Sequence, residues 1–197
     1  MPSLVLASGN AGKLAEFSQL LLPLGLTICS QSEFGVSGAE ETGLTFVENA
    51  LLKARHASRQ TGLPAIADDS GLAVDALSGA PGIYSARYAG PDSTDTDNNT
   101  RLLQALEDVP SGHRQARYWC VLVYLTHADD PVPLIVQRDW QGEILTSPRG
   151  AGGFGYDPLF YLPDHRCTAA ELSKEDKNHN SHRGRAVRDL IGLLSRT

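Results

Sequence analysis

Ala65-Ile66-Ala67-Asp68-Asp69-Ser70-Gly71-Leu72 is an apolar, strand-like run that closes on two adjacent carboxylates followed by a Ser-Gly pair. Successive side chains of a strand point to opposite faces, so one aspartate can face a cleft while its neighbour turns away. The backbone around Gly71 can approach a ligand closely. The stretch predicts a strand end at Asp68-Asp69, a break at Ser70-Gly71 and a candidate metal site. Adjacent carboxylates also serve as N-caps or solvated turns, so the reading depends on what surrounds them.

Outward from this stretch, strands and helices alternate. Ser3 to Ala7 reads as a buried strand, Ser8 to Gly12 as a polar turn, and Lys13 to about Leu22 as a helix stopped by Pro23. Leu26 to Cys29 reads as a second strand and Ser32 to Gly43 as a loop. Thr45-Phe46-Val47-Glu48 has the form of a capping box and opens a helix to about Gln60. After the acidic pair, Gly71 to Ala76 is expected to form another strand, followed by a turn at Gly79-Ala80-Pro81-Gly82 and a loop or short helix to Tyr88. Asp95 to about Glu107 carries Leu102, Leu103 and Leu106 at helical spacing. Arg117 to Thr126 is rich in Tyr, Trp, Val and Leu, and Leu134 to Trp140 is expected to pair with Glu143 to Thr146 across a Gln141-Gly142 hairpin turn. Ser181 caps a last helix to about Ser195, with Val187, Leu190, Ile191 and Leu194 on one stripe.

Composition narrows the function. A chain of 197 residues, 41% hydrophobic, can bury a core as one domain or as two lobes sharing a sheet. Cys29, Cys120 and Cys167 are odd in number and far apart, which argues against a disulfide framework and against structural zinc. No basic leader precedes the first apolar run, which is too short for a signal peptide or a membrane span, so a soluble cytoplasmic protein with no membrane partner is expected. The net charge of −6 disfavours a broad nucleic-acid surface. Any polyanion must meet a local cluster of cations.

Three segments offer such chemistry. Ser8-Gly9-Asn10-Ala11-Gly12-Lys13 leaves a strand and enters a helix, so backbone N–H groups and the helix dipole converge where an anion can sit, with Lys13 alongside. It is not a Walker A loop, because Ala7 stands where the first glycine would be and Leu14 follows the lysine. An ordinary Gly-rich connection fits it equally well. Gly150 to Pro158 formally contains G-x-G-x-x-G, but it leads into Leu159-Phe160-Tyr161 and not into a helix, which removes the dinucleotide-binding reading. Phe154 among these glycines can offer its face to a planar base and Asp157 can accept from base N–H groups; a core Phe in a flexible turn is the alternative. Lys174, Lys177, His179, His182, Arg183 and Arg185 form the local cation cluster, with His182 and Arg183 in the first turn of a helix, where the dipole disfavours them unless an anionic or polar ligand compensates.

Taken together, these segments resemble the inosine triphosphate pyrophosphatases, in their bacterial dITP/XTP branch. Besides the loop Ser8 to Lys13 and the Ala67-Asp68-Asp69-Ser70-Gly71-Leu72 run, the resemblance is carried by Glu40-Glu41-Thr42-Gly43-Leu44-Thr45-Phe46 with Glu48-Asn49-Ala50. Gly79 to Tyr88, Gly153-Phe154-Gly155-Tyr156-Asp157-Pro158 and Ser181-His182-Arg183-Gly184 complete it. It spans essentially the whole chain. The departure is Ser8, where the family usually has Thr; the hydroxyl is kept.

The resemblance implies a single ITPase-like domain over 1–197, an α/β fold with a long mixed sheet shared by two lobes, a nucleotide cleft between the lobes, and a homodimer. It implies hydrolysis of ITP, dITP and XTP to the monophosphate and pyrophosphate, which cleanses the nucleotide pool. Asp69 would be the catalytic base and a ligand of one Mg²⁺ per subunit, with Mn²⁺ as an alternative. Glu41 would hold the metal's other side, with Glu40 as the competing candidate. Ser8, Gly9, Asn10, Ala11, Gly12, Lys13, Lys53 and Lys177 would hold the triphosphate. Phe154, Gly155, Tyr156, Asp157, His182 and Arg183 would select the base, with Ser70 near the nucleotide. Arg183 as donor would reward the carbonyl that ITP and XTP carry where ATP carries an amino group. The rival readings are a Maf-type pyrophosphatase for pyrimidine or modified nucleotides and a nucleotide-binding regulator without catalysis.

Overall fold

The computed structural model describes residues 3–9, 11–21 and 27–195. Seven strands, β1 (Ser3–Leu6), β2 (Thr27–Ser30), β3 (Ala65–Val74), β4 (Gln115–Leu125), β5 (Leu134–Ile144), β6 (Phe160–Leu162) and β7 (Cys167–Thr168), form one sheet in the order β2-β1-β3-β4-β5-β6-β7. The sheet is mixed. β1 runs parallel to β2 and β3, whereas β6 is antiparallel to both β5 and β7. The helices are α1 (Ala11–Leu21), α2 (Phe46–Thr61), α3 (Asp95–Ala105), α4 (Lys174–Asn180) and α5 (His182–Leu194).

The chain gathers into two compact units, one of Met1–Asp69, Cys120–Arg138 and Arg183–Thr197, the other of Ser70–Trp119 and Asp139–His182. In the first unit, the strand period of two sorts the core into two faces. Leu4, Leu6, Ile66, Cys120, Leu122 and Val136 pack on one side with Phe17 and Leu21 of α1 and Ala186, Val187 and Leu190 of α5. Val5, Ala7, Ala65, Ala67, Val121, Val123 and Leu125 pack on the other with Ala50, Ala54 and Ala57 of α2. Sheets covered on both faces carry continuous apolar runs, which is how these strands read. The alanine stripe of α2 matters because small side chains let its backbone come close to the sheet, which brings Lys53, on the same stripe, to the level of Asp69.

α2 starts where the sequence places it. The Thr45 hydroxyl accepts from Glu48 N–H at 3.3 Å, and the Glu48 carboxylate accepts from Leu44 N–H at 2.9 Å and from the Thr45 hydroxyl at 2.8 Å. The return half of the box thus reaches one residue further back than the usual motif. The second unit has its own core of Leu72, Val74, Leu102, Leu106, Tyr118, Trp140, Ile144, Tyr156, Leu159 and Phe160, among others.

Three expectations are corrected. The strand does not end at Asp68-Asp69, and Gly71 to Ala76 is not a separate element, because β3 runs unbroken from Ala65 to Val74. Asp68 and Asp69 are buried, and there ion pairs with Lys13 and Lys53 take the place of solvent, for Asp69 at one oxygen. Leu134 to Thr146 is not a hairpin: β5 passes straight through Gln141-Gly142. Gly142 is there for close approach, since a Cβ on it would lie 2.7 Å from Phe160 Cζ on the neighbouring strand. Lys174, Lys177 and His179, for which the sequence predicts no element, lie on α4, capped by the Ser173 hydroxyl accepting from Asp176 N–H at 3.0 Å. The expectations for Leu22, Pro23 and Leu26 fall outside the described residues.

Candidate active site

The alternation of β3 sends Asp68 and Asp69 to opposite faces of the first unit. Asp68 faces α1 and α5. Its Oδ1 accepts from Lys13 Nζ at 3.1 Å and its Oδ2 from Arg183 Nε at 2.5 Å, while Arg183 Nη1 donates to Glu16 Oε2 at 2.5 Å. Burial alone would raise the Asp68 pKa, but Arg183 and Lys13 overcome it and hold the carboxyl well below the usual range. Burial opposes the Arg183 charge, and Asp68 and Glu16 more than restore it, so its pKa is raised. For Lys13 the balance falls the other way: burial outweighs Asp68, Arg183 adds to the effect, and the ammonium is lowered. Cations in the first turn of a helix need compensating anions. Asp68 and Glu16 supply them for Arg183.

Asp69 faces α2. Its Oδ1 accepts from Lys53 Nζ at 2.5 Å, and the same ammonium donates to Glu41 Oε1 at 3.1 Å. Asp69 Oδ2 is buried and has no hydrogen-bond partner among the described residues. Burial raises the Asp69 pKa, Lys53 offsets part of the rise, and Glu41 adds to it, leaving the carboxyl above its ordinary value. Burial works against the Lys53 charge, but Asp69 outweighs it and the ammonium is held above its usual value. Glu40 is exposed, so of the two candidates Glu41 is the one brought to Asp69. Ser70 follows on the same strand and is half-buried.

Among the described residues no group of three or more His, Cys, Asp and Glu side chains is arranged to hold a metal ion. That does not exclude Mg²⁺, which commonly binds through one or two carboxylates and completes its shell with water and substrate phosphates. A half-buried Glu41 and an Asp69 with one oxygen lacking a hydrogen-bond partner among the described residues make a hard-oxygen donor set that fits it. The loop expected to hold an anion is seen in part: Ser8, Gly9, Gly12 and Lys13 are described, whereas Asn10 and the Ala11 side chain are not.

The second unit carries a different chemistry. Asp157 is buried, and its Oδ2 accepts from Lys177 Nζ at 2.5 Å and from Phe154 N–H at 2.9 Å, while Oδ1 accepts from the Tyr118 hydroxyl at 3.3 Å. Lys177 Nζ also lies over the Phe154 ring, 4.6 Å from its centroid. Gly153 has φ +74°, and any Cβ there would overlap the Asp157 carboxylate, so glycine is required for this turn. His182 stacks on Tyr118 with ring centroids 4.9 Å apart and an 8° interplanar angle, and Trp140 lies 6.3 Å away. Tyr156 is buried and donates its hydroxyl to the Ser85 carbonyl at 2.8 Å, a use internal to the core.

Each unit thus assembles part of the expected site. Ser8, Lys13, Glu41, Lys53 and Asp69 fall in the first unit together with Arg183; Ser70, Phe154, Gly155, Tyr156, Asp157, Lys177 and His182 fall in the second. Sequence reasoning missed Glu16, Tyr118 and Trp140. Glu16 lies one turn from Lys13 on α1, a legible spacing; the two aromatic residues were visible only as strand formers.

In the first unit a buried carboxylate lies beside a lysine and a second carboxylate, and in the second an aromatic ring is set in a glycine-rich turn, on an α/β sheet. The chain belongs to the Ham1 family, whose model matches residues 4–193, and this bears out the resemblance carried by the motifs. It is 60% identical to the dITP/XTP pyrophosphatase of Shigella flexneri and 58% identical to that of Escherichia coli strain K12, each over 98% of both chains. Among solved structures it matches a HAM1 protein from Coxiella burnetii with a TM-score of 0.93 and 51% identity over 100% of both chains. It also matches a nucleoside-triphosphatase / dITP/XTP pyrophosphatase from Mycobacterium abscessus with a TM-score of 0.76 and 41% identity, over 98% of this chain and 99% of the other.

Proposed function

We propose that this protein hydrolyses deaminated purine nucleoside triphosphates, ITP, dITP and XTP, to the monophosphate and pyrophosphate. The observation that carries the reading is the buried Asp69 carboxylate, one oxygen of which has no hydrogen-bond partner among the described residues while Lys53 holds the other. The names of relatives that align over nearly the full chain give the substrate class.

In this reading Asp69 Oδ2 takes a proton from the attacking water as the bond between the α- and β-phosphates breaks. Lys53 fixes the other oxygen and stands ready for phosphate oxygens. Ser8, Gly9, Asn10, Ala11, Gly12 and Lys13 hold the triphosphate with Lys177. Mg²⁺, held by Glu41 and Asp69, would polarise the phosphorus centre and offset the charge that develops on the leaving pyrophosphate.

The base falls to the Phe154–Asp157 loop and His182, with Phe154 as the stacking platform. Arg183 acts as the donor that separates ITP and XTP from ATP; a buried donor left facing an amino group costs about 1 to 3 kcal/mol. A homodimer with one Mg²⁺ per subunit in the cytoplasm completes the proposal. Among the described residues no helix is long and apolar enough to cross a membrane.

The test is pyrophosphate release from ITP, XTP, dITP, ATP, GTP and dTTP, with Mg²⁺ and with chelator. Mg²⁺-dependent release from the first three, with the monophosphate as co-product, supports the reading. Release mainly from dTTP points to a pyrimidine pyrophosphatase, and binding without release points to a regulator.

A further inference from the structure

The Phe154–Asp157 loop is tied down from a direction that its own sequence does not reveal. We propose that Asp95 and Asn99, on one face of α3, are positioning residues for base recognition: they grip the Gly155 peptide and so set the attitude of the Phe154 ring. The inference rests on the reading of Phe154 as the stacking platform.

Asp95 and Asn99 are i, i+4 neighbours and therefore share a helix face. Asp95 Oδ2 accepts from Gly155 N–H at 2.7 Å, and Asn99 Nδ2 donates to the Gly155 carbonyl at 2.8 Å. One helix face thus engages both polar groups of a single residue. The preceding peptide is tied as well, because Phe154 N–H donates to Asp157 Oδ2 at 2.9 Å. Two consecutive N–H groups are held by carboxylates on different elements. The Phe154 ring can be turned by its backbone only if one of them lets go. Gly155 sits at φ +62°, a region that glycine enters without steric cost, so the hydrogen bonds and not the backbone preference hold the loop there.

Neither side chain is needed to begin the helix. Thr94 caps α3, accepting from Asp97 N–H at 3.2 Å, and the Asp97 carboxylate accepts from Thr94 N–H at 2.9 Å. Asp95 is thereby left to the loop. Asn99 carries a further mark: its Oδ1 is buried with no hydrogen-bond partner among the described residues. An unmet buried acceptor is a cost, so the amide is oriented for what its Nδ2 does, which is to hold Gly155.

The experiment uses the full chain with Mg²⁺ and ITP and follows pyrophosphate release. Asp95→Ala and Asn99→Ala should each raise KM for ITP about three- to tenfold, the worth of one hydrogen bond. Both should leave kcat within about twofold, as expected when only binding of the base is weakened. Asp95→Asn keeps an acceptor oxygen and should recover most of the affinity, which a general loss of stability would not explain. In a Phe154→Ala background Asp95→Ala should have no further effect on KM, because its action runs through that ring.

The same KM factor in both backgrounds, or a fall in kcat with KM unchanged, overturns the inference. If Phe154→Ala weakens ITP but Asp95→Ala and Asn99→Ala are silent, the inference fails alone. If Phe154→Ala itself leaves KM for ITP unchanged, the stacking platform fails and takes the inference with it.

Discussion

The face of β3 that carries Asp68 and the face that carries Asp69 begin from the same chemistry, since the two residues are adjacent and both are buried. On the Asp68 face both carboxylate oxygens have cationic partners, and one of those partners is shared with Glu16. On the Asp69 face one oxygen has Lys53 and the other has no hydrogen-bond partner among the described residues. The shifts follow: Asp68 is driven below the ordinary carboxylate range and Asp69 is raised above it. A carboxylate saturated by fixed cations is stable and inert. One left half-satisfied retains the basicity and the open coordination that chemistry needs. On the role proposed for Asp69, the comparison would separate a structural charge from a reactive one at two adjacent residues of the same type.

The separation can be broken from either side. Asp69→Asn should lower kcat for pyrophosphate release by about 10²- to 10⁴-fold, the usual worth of a positioned general base. Its melting temperature should change little, because the variant removes a carboxylate that burial disfavours. Turnover within a few fold of wild type would remove Asp69 as the base. Asp68→Ala should do the reverse in kind: it leaves Arg183 and Lys13 buried without their shared anion and should cost about 3 to 5 kcal/mol of folding stability, read from urea denaturation. A loss of about 0 to 1 kcal/mol, the range of surface pairs, would mean that the Asp68 face is wetter and looser than its geometry indicates.

Much of this arrangement was legible in advance, because it depends on local rules. The period of two in Ala65–Leu72 implied that the two aspartates part company, and Thr45 and Glu48 fixed the start of α2. Lys53 was foreseen at the site only through the family resemblance; its own spacing reads as a solvated helical lysine, and the alanines that seat α2 on the sheet decide otherwise. The misreadings share one cause. Ser70-Gly71 and Gln141-Gly142 have the composition of turns, yet both lie inside long strands, and at Gly142 the glycine admits the Phe160 ring of the next strand. Local composition cannot report a neighbour that folding alone supplies. The same holds for Tyr118 against His182 and for Asp95 and Asn99 against Gly155, which register and packing bring together.

The smallest effect sharpens the comparison by supplying a control. Asp130 has its pKa lowered to about 2, chiefly by Thr126 N–H, Val132 N–H and the Thr126 hydroxyl, with the charge of His127 as the smallest cause. It is what a carboxylate looks like when hydrogen bonds, and not buried cations, favour its charge. Its folded pKa lies below the ordinary 3.8, so its contribution to stability is fully present above about pH 4 and is lost as pH falls towards about 2. The difference in melting temperature between wild type and Asp130→Ala should therefore be constant from neutral pH down to about pH 5 and shrink below pH 4. A difference that persists unchanged at pH 2.5 would show that the turn is held by the shape of Asp130 and not by its charge. Depression of a carboxylate pKa would then not by itself mark charge-based stabilisation in this protein, and the contrast between Asp68 and Asp69 would rest on their partners alone.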